Sequence, residues 1–326
     1  MSTKIGRQTY FGLGVEAVTR GTKATADDWF MPTSIDVVDI TEHVTDNSGI
    51  GVLANSITGR KVKKMSEISV EGFLGDRLIG FLLYGALGTV GSATLVETGV
   101  YSHAFSESNV NTKPSFTAYV KDTDQAEKAL FSMINTLELN FVAGEKAVYK
   151  AQFMGQNLTD ESSTPSISAE NPLDTHDITI EYASIVGSLG GGTEFTVKEL
   201  NLLIQNNIAD YTASGSVVPS AMYNQTLKVS GDFTLIYDSD TYRDFVSGDT
   251  WKAMRIHLEN TDNLIGATEY PSLTIDMAHV IFTDWKTDRS IDGLVMQTIS
   301  FEACYDLTAS QMIIASLVNA KSTNYS

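Results

Sequence analysis

Glu67 and Glu71 belong to the alternating run Glu67-Ile68-Ser69-Val70-Glu71, so both carboxylates fall on one face of a strand. Paired carboxylates carry out general acid–base work, but glycosidic hydrolysis needs them roughly 5–9.5 Å apart. Four residues of strand span about 13 Å. A cross-strand pair leaves a hydrolase open, and a solvated sheet face is the simpler reading. The five histidines (His43, His103, His176, His257, His279) never fall at metal-ligand spacing, and none neighbours the single cysteine, Cys304. Asp238-Ser239-Asp240 begins like a calcium loop, yet Tyr242 occupies the next ligand position and the glycine of the sharp turn is missing. Helix capping accounts for both acids. Gly12-Leu13-Gly14-Val15-Glu16-Ala17 fits a dinucleotide pattern, but the polar segment Lys4–Tyr10 precedes it where a buried strand is required. Gly187-Ser188-Leu189-Gly190-Gly191-Gly192 lacks the Lys-Ser/Thr ending of a phosphate loop. No cofactor, metal or catalytic set is expected.

The elements that position these residues are set by a chain of 326 residues, 42% hydrophobic and 19% charged, enough for two modest cores. A net charge of −18 argues against a surface that grips phosphate backbones. One cysteine allows no internal disulfide and points to a reducing cytoplasm. The amino end lacks a secretory apolar core, and the longest apolar stretch, Leu78 to Val90, is interrupted by three glycines. No membrane anchor is expected.

Apolar residues recur mostly with period two among Thr, Ser, Val, Ile and Tyr, which predicts antiparallel β structure with few helices. Strands are predicted at Ile35–Val44, Met133–Phe141, Ala147–Met154, Thr196–Gln205, Leu227–Tyr237 and Ser272–Phe282, among others. Asp76 is positioned to cap a helix over Arg77–Leu87 ending at Gly88, and Asp240 a shorter one over Thr241–Val246 closed by Gly248. Each helix follows a strand that ends in glycine, and Val70-Glu71-Gly72 aligns with Val229-Ser230-Gly231. This parallel predicts an internal duplication; two unrelated β domains or one large sandwich stay open as alternatives. The Ser-, Thr- and acid-rich segment 156–175 reads as a linker. The chain up to residue 163 carries 14 basic and 19 acidic residues, the remainder 8 and 21, so the copies differ in electrostatics. Arg60-Lys61-Val62-Lys63-Lys64 is the one basic run, and its counterpart Val217–Ala221 is uncharged. It reads either as a solvated turn or as a docking surface for an acidic patch on another copy.

Two segments carry a resemblance. GVEAVTRGTKATADDWFMPTSID (Gly14 to Asp36) and GRKVKKMSEISVEGFLGDRLIGFLLYGALGTV (Gly59 to Val90) are similar to the tail tube, or major tail, proteins of long-tailed bacteriophages. The likeness lies in the entry segment before Trp29, in the basic, Ser-containing returning strand, and in the helix ending Ala86-Leu87-Gly88. It implies an all-β protein with no enzyme activity: two tandem tube-like antiparallel sandwich or barrel domains, each with a short flanking helix, stacked in rings around a lumen for DNA. The implied division is an N-terminal arm (1–30), a first tube domain (31–155) with a long stacking loop (40–64), the linker (156–175) and a second tube domain (176–326).

Glu67, Ser69, Glu71, Glu138, Glu199, Asn201 and Asp232 are expected to face the lumen, and Arg60, Lys61, Lys63 and Lys64 to contact the adjacent ring. Six tube domains per ring, supplied two per chain, imply trimeric rings. The expected partners are other copies of the chain, with tape-measure, tail-tip and tail-terminator proteins; DNA passes without specific binding. The expected setting is a virion tail assembled in the host cytoplasm. The alternative is a β-sandwich carbohydrate-binding or hydrolytic protein of a tail tip.

Overall fold

Strand alternation dominates the computed structural model, which describes residues 6–326 except 18, 48–50, 52, 57, 290 and 292. The first half opens with β1 (Tyr10–Val15) and β2 (Asp28–Phe30), followed by a long hairpin of β3 (Ser34–Asp46) and β4 (Thr58–Phe73), then α1 (Leu78–Leu87). Next come β5 (Gly88–Val90), β6 (Thr94–Glu97), β7 (Val100–Glu107), β8 (Phe116–Lys121), β9 (Ala126–Val142), β10 (Val148–Gln156) and β11 (Thr159–Glu161). The second half contains β12 (Ile178–Ala183), β13 (Thr193–Phe195), β14 (Glu199–Gln205), β15 (Ile208–Tyr211), β16 (Ala221–Asn224) and β17 (Lys228–Ile236). It closes with α2 (Thr241–Ser247), β18 (Lys252–Glu259), β19 (Ser272–Asp288), β20 (Met296–Cys304) and β21 (Ile313–Asn319). The fold is all-β and antiparallel, as the alternation predicts.

One pairing order occurs twice. β3 pairs β4, β4 pairs β10 and β10 pairs β9; likewise β14 pairs β17, β17 pairs β20 and β20 pairs β19. Because β9 also pairs β14, the two sets fuse into one eight-stranded sheet. Each half has a second sheet as well, β2–β1–β8–β9–β11 in the first and β13–β12–β18–β19–β21 in the second. β9 and β19, each 17 residues long, run from one sheet into the other. The predicted alignment is matched at one close contact. Gly72 faces Tyr149 and Gly231 faces Phe301, and an added Cβ would meet the Tyr149 hydroxyl at 2.7 Å in the first case and the Phe301 ring at 2.6 Å in the second. Glycine at both positions makes room for the aromatic of the next strand.

Several details differ from the sequence reading. Of the arm expected over 1–30, residues 1–5 and 18 lie outside the described residues, and the strands in the rest are part of a sheet: β1 lies between β2 and β8, and Gly12 and Gly14 leave room for the Trp29 ring and the Thr25 carbonyl. The stacking loop expected over 40–64 contains ladder at both ends, since Ile40–Asp46 pairs with Thr58–Met65; residues 48–50, 52 and 57 lie outside the described residues. α1 is internal, with nine of its ten residues buried. Asp76 does not cap it; Asp76 accepts from Asn171, while the Glu170 carboxylate accepts the Arg77 and Leu78 N–H groups at 3.1 and 2.6 Å. Gly88 ends the helix at φ 104°, a left-handed position suited to glycine. Asp240 flanks α2 without a side-chain cap and instead accepts from Tyr237 and Arg243.

Nor does the segment 156–175 hang free. Glu161 takes Lys128 at 2.5 Å and Lys23 at 2.6 Å, which hold its carboxyl down to about 2, and Leu173 is fully buried. The halves also interlock. β7 pairs β21 of the second half, and Tyr325 near the carboxyl end packs edge-on against Phe81 of α1 at 4.9 Å between ring centres. The larger of two apolar clusters accordingly spans both halves, from Phe11 to Tyr325.

Candidate assembly surface

Strand parity divides the eight-stranded sheet into a buried and an open face. On β4, Ile68 and Val70 are buried while Glu67, Ser69 and Glu71 turn the other way. On β14, Leu200, Leu202 and Ile204 are buried while Glu199 and Asn201 face out. Registers connect these outward residues across the sheet. Glu71 lies opposite Lys150, which lies opposite Glu138, which lies opposite Leu203. A second row runs Asn140, Asn201, Asp232, Ser300, Asp284. All seven residues expected to share a surface, Glu67, Ser69, Glu71, Glu138, Glu199, Asn201 and Asp232, therefore occupy one face of one sheet.

That face is acidic, with its cations partly engaged. Lys286 sits 2.8 Å from Asp284, and Lys228 sits 3.3 Å from Glu302. The Lys286 hydrogen bond lowers the Asp284 pKa. Asp232 moves the other way: partial burial raises its pKa, and the Glu199 and Glu138 carboxylates add to the shift. Clustered like charges of this kind repel a polyanion and disfavour close approach.

The two ends of the sheet are edges. β3 pairs only β4, and the stretch of β19 beyond Phe282 pairs only β20, among the described residues. These are the strands that stand where β14 and β9 stand at the middle of the sheet. An unpaired strand presents a row of N–H and C=O groups to any matching edge. Sequence reasoning missed both edges, and length was no guide, since β9 is as long as β19 and is paired on both sides.

The basic run is split by its surroundings. Lys63 is half-buried and pairs with Asp210 of β15 at 2.8 Å, with Glu42 at 4.0 Å. Lys64 donates its backbone N–H to the Val217 carbonyl at 2.6 Å. Arg60 and Lys61 are exposed on the outer part of the hairpin. Half of the predicted contact thus joins the two hairpins of a single chain.

Two buried polar anchors went unread in the sequence. Glu16 accepts hydrogen bonds from Gly21 N–H, Ser115 Oγ, Thr117 Oγ1 and Phe131 N–H, tying the loop after β1 to β8 and β9. Lys113 donates to the Ala86 carbonyl at 2.6 Å and to Asn206 Oδ1 at 2.7 Å, joining the end of α1 to the segment between β14 and β15. Burial lowers the Lys113 pKa to about 8 against the pull of Glu107. Both are isolated single residues in sequence, and only the fold supplies their partners. Among the described residues, no group of three or more His, Cys, Asp or Glu is arranged to hold a metal ion.

A family model described as phage tail tube protein matches residues 6–303. A search of curated proteins gave no match.

Proposed function

We infer that this chain, which belongs to the phage tail tube protein family, is the structural subunit that polymerises into the hollow tube of a phage tail and lets DNA pass through it. The observation that carries the reading is the eight-stranded sheet with an acidic face and two unpaired edges of matching kind. Pairing β19 of one copy with β3 of the next repeats the internal β9–β14 junction. Each chain then supplies two four-stranded units to the ring, and three chains close it with pseudo-sixfold symmetry.

The open face lines the bore. Glu67, Ser69, Glu71, Glu138, Glu199, Asn201 and Asp232 keep it negative, so DNA slides without the counterion release that would hold it. Rings stack through the β3–β4 hairpin, whose Arg60, Lys61, Lys63 and Lys64 meet acids of the adjacent ring; Lys63 in doing so exchanges or shares its Asp210 partner. Stacking is a heterologous contact that cannot close and therefore grows a filament. Tape-measure, tail-tip and tail-terminator proteins limit that growth in a virion tail assembled in the host cytoplasm. No catalytic step belongs to this role.

Negative-stain microscopy of the purified chain, with mass measurement of its smallest closed species, tests the reading. Hollow tubes built from rings of three chains are expected. Rings of six full-length chains would contradict the two-units-per-chain scheme, and a protein that stays monomeric at high concentration would contradict polymerisation itself. The triple variant K61E/K63E/K64E is expected to form rings without tubes; normal tubes would remove the hairpin from the stacking contact.

A further inference from the structure

The bulges of β9 and β19 fall at equivalent places in the two halves, and only the first lies beneath a β-ribbon of the chain itself. In the first half, pairing passes from Ala118↔Ala129 to Phe116↔Ser132, so Leu130 and Phe131 lie opposite Thr117 alone. In the second half it passes from Met254↔Met277 to Lys252↔Val280, so Ala278 and His279 lie opposite Ala253 alone. Phe131 and His279 are each the second of two residues facing one. Phe131 is buried beneath the β15–β16 ribbon, where it clusters with Met133, Met222 and Ile208. Arg20 fastens that cover, its guanidinium 4.6 Å from the Phe131 ring centre and 2.7 Å from the Met222 carbonyl oxygen. The ribbon reaches this place because β14 ends at Gln205, opposite Thr136, a few residues past the bulge.

His279 has no such cover. Its ring stacks on Trp251 at 4.4 Å and 15°, and the pair opens into a groove of about 470 Å³ with Ile185, Tyr305 and Leu307 along its sides. Trp251 is 39% exposed, Ile185 53% and Leu307 87%. These are large apolar groups to leave in water on one patch.

We propose that the groove at Trp251, His279, Tyr305 and Leu307 receives the β3–β4 hairpin of a second copy of this chain, as the Phe131 site receives the chain's own β15–β16 ribbon. The occupant follows from position. The β3–β4 hairpin stands in the first half where β14, the ribbon and β17 stand in the second, and its outer part exposes Val44 and Val62. If β3 of one copy continues the sheet from β19 of another, its hairpin leaves that sheet beside the His279 bulge. The inference rests on the ring reading above and names the surface that the ring contact uses outside the sheet.

The test places a photocrosslinking residue, benzoylphenylalanine, at Leu307, and in a second preparation at Ile185, then irradiates assembled tubes and maps the linked peptides by mass spectrometry. The expected result is a species of twice the chain mass in which either position is joined to residues 38–64 of another copy. V44E/V62E, with both changes at exposed positions, should lower that yield at least tenfold while leaving the monomer's thermal midpoint unchanged. Tubes whose crosslinks from both positions map elsewhere would overturn the docking and leave the tube reading standing. A chain that forms no rings or tubes would overturn both.

Discussion

At the middle of the eight-stranded sheet β9 meets β14, whereas at its ends, among the described residues, β3 pairs only β4 and β19 beyond Phe282 only β20, although the strands stand in equivalent places. The closed junction is tethered by the chain and reinforced off the sheet: Lys113 bridges Ala86 and Asn206, and the β15–β16 ribbon folds over Phe131. The open ends carry the same kind of edge without these fastenings. In the proposed ring, covalent linkage would make one of every two junctions permanent and leave the other to concentration. In such a chain, folding and assembly use a single kind of strand pairing, and only one of the two should be sensitive to changes at β3 and β19.

The largest effect is expected from blocking an open edge. Neighbouring residues of a strand send their N–H groups to opposite sides, so of D36P and V37P one removes a donor to β4 and the other a donor to the free edge. The second kind should leave a folded monomer by circular dichroism and abolish rings by light scattering. Rings from both variants would show that β3 is not a closing edge.

Next comes the closed junction. K113A leaves the Ala86 carbonyl and the Asn206 amide buried without their donor, and should cost about 2–4 kcal/mol in denaturant unfolding. The Lys113 amine also gives this junction a pH signature. With its pKa near 8 in the fold and 10.5 unfolded, the unfolded chain binds more protons between those values, so stability should rise with pH across that window. Below about pH 8 both states are protonated and the cost of burying the charge is felt in full. K113M should flatten the rise; an unchanged slope would assign it to other groups.

A smaller contrast lies between Gly72 and Gly231. The nearest atoms to a Cβ at Gly72 belong to the end of the Tyr149 side chain, whereas at Gly231 the Cβ meets the Asn201 backbone oxygen at 2.1 Å as well as the Phe301 ring. Overpacking of this kind costs about 1–3 kcal/mol, and G231A should lie at the upper end with G72A below it. The smallest effect is expected from D210N, which keeps the Oδ1 acceptor but removes the charge of a partly exposed partner of Lys63 and should shift stability by less than about 1 kcal/mol. Its readout is the midpoint of chemical unfolding, and a shift of several kcal/mol would make the hairpin contact a major part of the closed junction.

What was legible in the sequence was local and periodic. Glu67, Ser69 and Glu71 could be assigned to one face because a strand alternates strictly, and the same parity put Glu199 with Asn201. The offset relating Gly72 to Gly231 was legible because a glycine before a helix is a local signal. The β9–β14 junction was not, since its register relates residues about sixty positions apart and depends on edges that either half alone leaves open. Helix capping failed for a similar reason: Asp76 is adjacent to α1, but the N–H groups go to Glu170, which the packed segment 156–175 brings from 92 positions away. The segment 40–64 reads as loop because it is polar, while its ladder is held by cross-strand pairing that composition does not reveal.

The central claim is that the open edges close on each other as β9 and β14 do. Cryo-electron microscopy of assembled tubes measures this directly. The account predicts three chains per ring, β3 of each paired antiparallel with β19 of its neighbour beyond Phe282, and Glu71, Glu138 and Asp232 facing the bore. A ring in which these two strands lie apart, or in which the acidic face is buried between subunits, would contradict it.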